Sequence, residues 1–233
     1  MKFTKNIEVK NIFNKISHKY DFLNSLLSFG LHKLWKRKLV NLLKPLSGEN
    51  WSDLCCGTGD LAFLISERVA PGGTVIGIDS AQEILNIAKN KSELKKNKLI
   101  KWEINDVLEI NDYSKSFDGI CMSYGLRNLN NVEDGIRKVF YLLKKNGRAG
   151  FLDFHHSEKN SLSNIFQKIY LRLVVVKISM IFNLTQEYAY IEKSIRNFPK
   201  KNELLKIAKE VGFKKAKYRT VFCGQMGILI LVK

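Results

Sequence analysis

The stretch Asp53-Leu-Cys-Cys-Gly-Thr-Gly-Asp60 decides the fold of this chain. Its Gly-Thr-Gly turn lets the backbone fold tightly and lets a ligand approach without a Cβ in between. Asp79 ends the next apolar run, 20 residues after Gly59, which is about the distance at which an α/β nucleotide site places a carboxylate against ribose hydroxyls. The pair predicts a site for an adenosine-containing cofactor.

On both sides of this turn, strand patterns alternate with helical periodicity. Apolar runs end near Asp53, Ile78, Ile104, Ser123 and Phe154, with helical segments between them. Strand, helix and strand at this spacing indicate right-handed βαβ units and a parallel sheet. The last two predicted strands, 216–222 and 228–232, are too close for a crossover helix, so we expect them to pair antiparallel.

The length of 233 residues favours one α/β domain with a single good core. No internal repeat or low-complexity tract divides it. We expect four parts within this domain: an N-terminal helical cap (1–45), a cofactor-binding βα core (46–154), an apolar helical insertion (155–200), and a C-terminal helix with a β-hairpin (201–233).

The chain is strongly basic, with 39 Lys and Arg against 22 Asp and Glu and a net charge of +17. Such a surface attracts polyanions, with nucleic acid as the first candidate and an anionic membrane face as the second. Compositional drift explains the same excess without a partner, because the chain is also rich in Lys, Asn and Ile. The charge therefore leaves the partner open.

The four cysteines indicate a reducing compartment, because none has metal-ligand or CxxC spacing and all lie in apolar or glycine-flanked runs. We expect no metal site. The longest apolar region, 171–184, is interrupted by two cations and falls short of the ~18–20 residues of a spanning helix. These features predict a cytoplasmic protein, with peripheral membrane contact left open.

The turn itself favours S-adenosylmethionine over a dinucleotide. The third glycine of G-x-G-x-x-G is replaced by Ala62, and no Walker lysine follows. Asp60 opens the following helix, where its charge would repel a pyrophosphate and tolerate a sulfonium.

The roles follow from the chemistry of the strand ends. The turn formed by Gly57, Thr58 and Gly59 would hold the charged tail of the cofactor. Asp79 would hold the ribose diol. Asn105-Asp106 would face the adenine edge, and Ser123 completes the ring of strand ends.

Nearly the whole chain, residues 8–233, resembles the quinone-biosynthesis C-methyltransferases of the class I S-adenosylmethionine-dependent fold. That resemblance implies a Rossmann-like, mostly parallel seven-stranded sheet with an antiparallel C-terminal strand. By position it implies cofactor contacts at Thr58, Asp79, Asn105, Asp106 and Ser123. The matching segments are Phe13–Asp21, Leu27–Lys36, Asp53–Asp60, Ser123–Asn128, Tyr188–Ile195, Phe198-Pro199 and Gly212-Phe213.

The resemblance also implies the acceptor, a prenylated quinol methylated at a ring carbon. The ending 224–233 is similar to the branch of the family that acts on phytylated naphthoquinone. A benzoquinol of the ubiquinone pathway stays open as the alternative head group. We expect the substrate to be reduced first, because only a quinol that loses a hydroxyl proton delocalises charge onto the attacked carbon.

Three residues are the catalytic candidates. Arg127 would stabilise the developing anion or polarise a water that takes the proton, and the alternative for it is a structural ion pair. Asn128 would orient a ring oxygen. Tyr20, with His18 nearby, lies in a segment that we expect to cap the cofactor.

Two apolar, aromatic segments, 22–35 and 162–184, are core or the mouth for an isoprenoid tail. In the second, cations framing apolar residues also suit a membrane surface. An RNA methyltransferase is the alternative that the charge favours, but the extra segments are apolar where an RNA-binding module would be basic. A non-catalytic scaffold is the third alternative, which the intact Thr58, Asp79 and Arg127 disfavour.

Overall fold

The computed structural model describes residues 2–155, 185–222 and 224–233. Its seven strands are β1 (Asn50–Leu54), β2 (Thr74–Asp79), β3 (Ile100–Ile104), β4 (Phe117–Ser123), β5 (Leu143–Phe154), β6 (Lys215–Val221) and β7 (Met226–Val232). They form one sheet in the order β3-β2-β1-β4-β5-β7-β6. Only β7 runs against its neighbours, β5 and β6. This confirms the predicted fold class.

The strand order reverses direction at β1, whose parallel neighbours are β2 and β4. In an open α/β sheet, ligands bind at such a switch point, outside the carboxyl ends of the strands. The glycine turn follows β1 directly, and Asp79 is the last residue of β2. The topology therefore brings both halves of the predicted cofactor site to one edge, which we call the carboxyl edge.

Helices cover both faces of the sheet. They are α1 (Lys2–Ile16), α2 (Tyr20–Leu27), α3 (Leu31–Leu43), α4 (Asp60–Val69), α5 (Gln82–Leu94), α6 (Val132–Leu142), α7 (Thr185–Asn197) and α8 (Lys201–Val211), with 3₁₀ turns at Ser17–Lys19 and Leu126–Asn128. The predicted N-terminal helical cap is thus three helices. The break before α3 occurs at Phe29 and Gly30, whose positive φ angles of 49° and 75° end one helix and start the next.

The core shows why α3 belongs to the domain and is more than a terminal appendage. Leu39 and Leu43 of α3 pack directly on Gly150 in the middle of β5, where a Cβ would overlap their methyl groups. Both leucines are buried, as is Trp51 of β1 beneath the same face. Burying two leucines against the sheet contributes roughly 3–6 kcal/mol of the free energy of folding.

One boundary differs from the sequence-based prediction. The helix expected over 132–143 ends at Leu142, because Leu143 already pairs with Phe117 in the sheet. The register then shifts between Phe117 and Gly119, and residues 144–147 form an irregularity within β5. The turn predicted at Asn146-Gly147 is therefore part of the strand, with Asn146 at a φ of +64°.

The expectations for the apolar segment 162–184 lie outside the described residues, as does Cys223. Of the insertion predicted over 155–200, the structure describes His155, α7 and the three residues that follow it. Within the described ranges, no helix combines the length and the apolarity needed to cross a bilayer. The division of the domain into four parts stays a prediction.

Candidate active site

The glycine turn requires glycine at Gly59 for two reasons. Its φ of +87° lies in the left-handed region, and a Cβ there would overlap the ring of Trp102 on β3. Gly57 also has a positive φ, +56°. The turn closes through a hydrogen bond of 2.9 Å from the Gly59 amide to the Cys56 carbonyl. Backbone atoms therefore form the surface of the turn, as the motif predicts.

Asp79 and the turn form one hydrogen-bonded unit. One carboxylate oxygen accepts the Gly57 amide at 2.8 Å, and the other accepts the Ala81 amide at 2.9 Å. Burial raises the pKa of Asp79, and these backbone hydrogen bonds oppose that rise. A carboxylate has about four acceptor sites, so capacity remains for the hydroxyls of a ribose. The residues present fit the predicted role.

The next strand ends supply the remaining predicted cofactor residues. The Asn105 amide donates to the Asp79 carbonyl at 3.0 Å, which places the loop after β3 beside the end of β2. The Asp106 carboxylate accepts the Leu108 amide at 2.9 Å and so shapes that loop. Ser123 is the last residue of β4, half-buried at the same edge.

Thr58, predicted as a cofactor contact, also binds the N-terminal helices. Its side chain is buried, and its hydroxyl donates to the Asp21 carboxylate on α2 at 2.6 Å. The other oxygen of Asp21 accepts the Lys91 ammonium at 2.5 Å. We call Asp21, Thr58 and Lys91 the cap latch, because they tie the N-terminal helices to the glycine turn. The donor of the hydroxyl is thus used within the protein.

Asp60 also binds within the protein. Its carboxylate forms an ion pair of 2.8 Å with the buried ammonium of Lys36 on α3. Burial is the largest single influence and would raise the pKa of Asp60, but the charge and the hydrogen bond of Lys36, together with the charge of Lys91, outweigh it and the pKa is lowered. The repulsion of a pyrophosphate that the sequence suggested is therefore offset. The discrimination against a dinucleotide rests on the missing third glycine instead.

Asp53 has a role that the sequence analysis missed. It is fully buried at the end of β1, and one oxygen accepts the amide of Ala62 in the first turn of α4 at 3.0 Å. The other accepts the thiol of Cys121 at 3.4 Å. Burial raises the pKa of Asp53 to about 7. The position of Asp53 at the start of the glycine motif could have indicated a structural role. Its hydrogen bond with Ala62, nine residues later, becomes apparent only from the folded structure.

Tyr20 lies over the glycine turn. A Cβ on Gly57 would lie 3.6 Å from the Tyr20 ring and 3.8 Å from its hydroxyl, which is ordinary contact. Burial raises the pKa of Tyr20, so the phenol stays protonated near neutral pH and acts as a donor. His18, the other candidate in this segment, is exposed. The structure thus brings Tyr20 to the predicted cofactor turn.

Arg127 forms the structural ion pair that the sequence analysis left open as its alternative role. Its guanidinium donates to the Asp153 carboxylate of β5 at 2.8 Å and to the Tyr124 carbonyl at 2.9 Å. The Asp153 carboxylate also accepts the Arg127 amide at 3.2 Å. Both side chains are almost completely buried, at 6% and 5% exposure. Arg127 therefore holds the 3₁₀ turn after β4 in place, and its cation lies inside the protein.

Asn128 is held from two directions. Its amide nitrogen donates to the Tyr124 carbonyl at 2.9 Å, and its oxygen accepts the hydroxyl of Tyr190 at 3.2 Å. Tyr190 is buried and comes from α7, 62 residues further along the chain. Sequence reasoning did not select Tyr190 or Asp153, because neither belongs to a spaced motif with the turn. Together Asp153 and Tyr190 fix the segment 124–128.

The remaining histidines play structural roles in the described part of the chain. Nδ1 of His32 lies 2.7 Å from the Ser28 hydroxyl, and burial lowers the pKa of His32. Nδ1 of His155 lies 3.0 Å from the hydroxyl of Tyr218 on β6. His155 directly follows β5, which ends at Phe154.

The arrangement combines a carboxylate and backbone amides suited to a ribose with a protonated phenol and a rigid turn holding an arginine. Neither Tyr20 nor Arg127 is a base under ordinary conditions, since the phenol keeps its proton and a guanidinium is always a cation. The site can therefore position and polarise a reactant. Its chemistry suits a donor that is already activated.

Comparison with known proteins agrees with this geometry. The profile of the ubiE/COQ5 methyltransferase family matches residues 1–233. The 2-phytyl-1,4-naphtoquinone methyltransferase of Nostoc punctiforme is 37% identical over 97% of this chain and 98% of its own length. The chloroplastic 2-phytyl-1,4-beta-naphthoquinone methyltransferase of Arabidopsis thaliana is 35% identical over 97% of this chain and 87% of its own.

The fold also matches solved structures. A SAM-dependent methyltransferase from Aquifex aeolicus superposes with a TM-score of 0.62, covering 84% of this chain and 88% of its own. Its sequence identity is 15%, so this likeness bears on the fold alone.

Proposed function

The chain belongs to the ubiE/COQ5 methyltransferase family, and from this we propose that it transfers a methyl group from S-adenosylmethionine to a ring carbon of a phytylated naphthoquinol. The observation that carries the proposal is the similarity to 2-phytyl-1,4-naphtoquinone methyltransferases along almost the whole of both chains. At 35–37% identity the relatives cover the cap, the sheet and the C-terminal hairpin together.

The site supports S-adenosylmethionine as the donor. Gly57 and Gly59 offer backbone without side chains, and Asp79 offers a carboxylate for the ribose diol. Asn105-Asp106 follow β3 beside the end of β2 and would face the adenine edge. A methyl sulfonium is an activated donor, so the cofactor supplies the methyl group without further activation. The protein then needs mainly to align the acceptor carbon with the donor.

The chemistry of the methyl acceptor favours a quinol over a quinone as the substrate. A ring carbon attacks the methyl group only when an oxyanion on the ring makes it electron-rich, and its hydrogen leaves as a proton afterwards. Tyr20 would donate a hydrogen bond to that oxyanion, since its phenol stays protonated. Asn128 and Arg127 would shape the wall beside the ring, because their own hydrogen bonds hold them in place.

The test is an anaerobic assay with labelled S-adenosylmethionine and 2-phytyl-1,4-naphthoquinol. We expect label in the organic phase, on a ring carbon, and little turnover of the oxidised quinone. Equal rates with the quinone would contradict the need for prior reduction. Label in total RNA and none in lipid would overturn the proposal in favour of the nucleic-acid alternative. Faster turnover of a prenylated benzoquinol would reassign the head group.

A further inference from the structure

The loop between α2 and α3 holds a large apolar side chain in an unfavourable backbone conformation. Phe29 has a φ of +49° and is 70% exposed to solvent. A left-handed conformation is unfavourable for a bulky residue, and Gly or Asn adopt it far more readily. Burial does not compensate Phe29, because most of its surface faces water. Strain at an exposed aromatic residue points to a contact outside the fold.

Leu34 extends this surface along the first turns of α3. Gly30 precedes the helix, so Phe29 and Leu34 occupy the two positions that pack together in a hydrophobic staple. A staple normally shields both residues, but Leu34 is 56% exposed and Phe29 more so. We call Phe29 and Leu34 the apolar tip. It presents apolar surface outward at the start of a rigid helix.

Exposed cations share α3 with Leu34, and the segment itself carries no carboxylate. Between Asp21 and Glu49 the sequence contains no acidic residue. Lys36 is used in the ion pair with Asp60. The exposed cations on the same helix as Leu34 are Lys33, Arg37 and Lys38.

The apolar tip lies beyond the carboxyl edge, on the side of the candidate active site. One turn into α3, Lys36 reaches Asp60 after β1, and its ammonium lies 5.9 Å from the ring of Tyr124 after β4. At the opposite end of α3, the Leu43 carbonyl accepts the guanidinium of Arg148, near the amino end of the neighbouring strand β4. The helix therefore points its first turn toward the edge that carries the glycine turn.

We propose that the apolar tip, with Lys33, Arg37 and Lys38, docks the carboxyl edge onto an anionic lipid bilayer. The apolar side chains enter the boundary between headgroups and acyl chains, and the cations face lipid phosphates. The inference rests on the proposed function, since a phytylated substrate resides in the bilayer. An edge pressed against lipid lets that substrate enter without crossing water.

The experiment is co-sedimentation of the full chain with vesicles of phosphatidylglycerol and phosphatidylcholine, at low salt. Phe29→Asn removes the aromatic ring and keeps a residue that tolerates positive φ, so the melting temperature should hold or rise. We expect its vesicle affinity to fall about tenfold, the effect of withdrawing one large apolar side chain from an apolar phase. Replacing Lys33, Arg37 and Lys38 with Gln should weaken binding to anionic vesicles and flatten its salt dependence.

Leu94→Asn is the matched control. Leu94 is 85% exposed, but it ends α5, which runs back from the carboxyl end of β2 to the opposite edge of the sheet. We expect its vesicle binding to equal that of the wild type. Binding of Phe29→Asn that equals the wild type, or an equal loss in both variants, would overturn the proposal. A dimer that Phe29→Asn dissociates, with vesicle binding unchanged, would also overturn it and assign the apolar tip to a second copy.

Vesicle binding requires no substrate, so its outcome is separate from that of the methyl-transfer assay. Turnover of a soluble quinol without a tail should be the same in Phe29→Asn and in the wild type. Turnover of the phytylated quinol in vesicles should fall in that variant. A third outcome separates the two proposals. If Phe29→Asn loses vesicle binding but the wild-type protein methylates no quinol, the docking surface stands and the proposed function alone is overturned.

Discussion

Two aspartates at the carboxyl edge hold two different parts of the site, and their surroundings differ sharply. Asp21 belongs to the cap latch, where its side chain is 44% exposed and that of Lys91 is 29% exposed. Asp153 binds Arg127 with both side chains almost fully buried. The ion pairs have similar lengths, 2.5 and 2.8 Å. The two ion pairs therefore have similar geometry but differ in how much solvent reaches them.

The difference separates a part of the site that can move from a part that cannot. An exposed ion pair contributes about 0–1 kcal/mol, since water replaces its partners when it opens. Removing one partner of a buried pair costs about 3–5 kcal/mol, because the other charge stays behind without compensation. We expect α2, which carries Asp21, to move away from the cofactor turn at low cost, while α3 and the segment 124–128 remain in place.

Replacing Asp153 tests the buried side of this comparison most strongly. Asp153→Ala leaves the Arg127 cation buried and should lower the free energy of unfolding by about 3–5 kcal/mol, measured by urea denaturation. The double variant Arg127→Met/Asp153→Leu removes both charges and should recover most of that loss while methyl transfer stays low. If Asp153→Ala lowered the free energy of unfolding by less than Asp21→Ala does, the buried pair would not be the more important of the two.

Asp53 extends the comparison to a buried carboxylate whose hydrogen-bond partners, among the described residues, are a backbone amide and a thiol. Its pKa is raised from 3.8 to about 7, so the folded state favours the protonated form. Its contribution to stability is present below pH 3.8, falls as the pH rises to about 7, and stays constant above that. The fall relative to Asp53→Asn should be on the order of 3 kcal/mol between pH 4 and 8. Parallel stability curves for the two proteins would contradict the assignment.

Gly59 tests whether the conformation of the glycine turn is determined by packing as well as by its backbone angles. Gly59→Ala adds a Cβ at a φ of +87° that overlaps Trp102. Gly48→Ala is the matched control, because its φ is +82° and nothing lies within 4 Å of the added atom. Gly59→Ala should be less stable than the control by about 2 kcal/mol and bind S-adenosylmethionine more weakly. Equal costs would mean that backbone strain alone accounts for the glycine.

Tyr190 is the second support of the rigid segment. Tyr190→Phe removes the hydrogen bond to the Asn128 oxygen and should lower stability by about 1 kcal/mol. We expect kcat to fall while the affinity for S-adenosylmethionine is unchanged, because the hydrogen bond of Tyr190 supports Asn128, which we propose shapes the wall beside the acceptor ring. Ser194→Ala on the same helix loses a local bond within α7 and serves as the control. A change in cofactor affinity without one in kcat would contradict this division.

The cap latch should show the smallest effect on stability. Asp21→Asn keeps the shape of the side chain, weakens its bond with Lys91, and should change the free energy of unfolding by about 0.5 kcal/mol. The rate of cofactor release should rise, since α2 moves away from the turn more often. Stopped-flow displacement of S-adenosylhomocysteine measures that rate. A loss of several kcal/mol would show that the latch belongs with the buried pair.

Much of the cofactor half of the site was predictable from the sequence. The Gly57–Gly59 turn and Asp79 are local signals, because a tight turn at a strand end needs glycine and the next strand in a βαβ unit ends at the same edge. Phe29 and the true end of α6 were not predictable. A positive φ at Phe29 contradicts its intrinsic preference, and pairing with Phe117 overrides helix propensity at Leu143.

The sequence alone determined the mostly parallel sheet, the edge where the site lies and the turn at that edge, because these depend on periodicity and on backbone conformations that few residues adopt. Only the tertiary structure decided how the charges pair. Thr58 and Asp60 bind the cap, and Arg127 binds Asp153, since each partner lies 24 or more residues away in the chain. A charged side chain responds to whatever the fold brings within about 4 Å, and sequence spacing does not specify that neighbour.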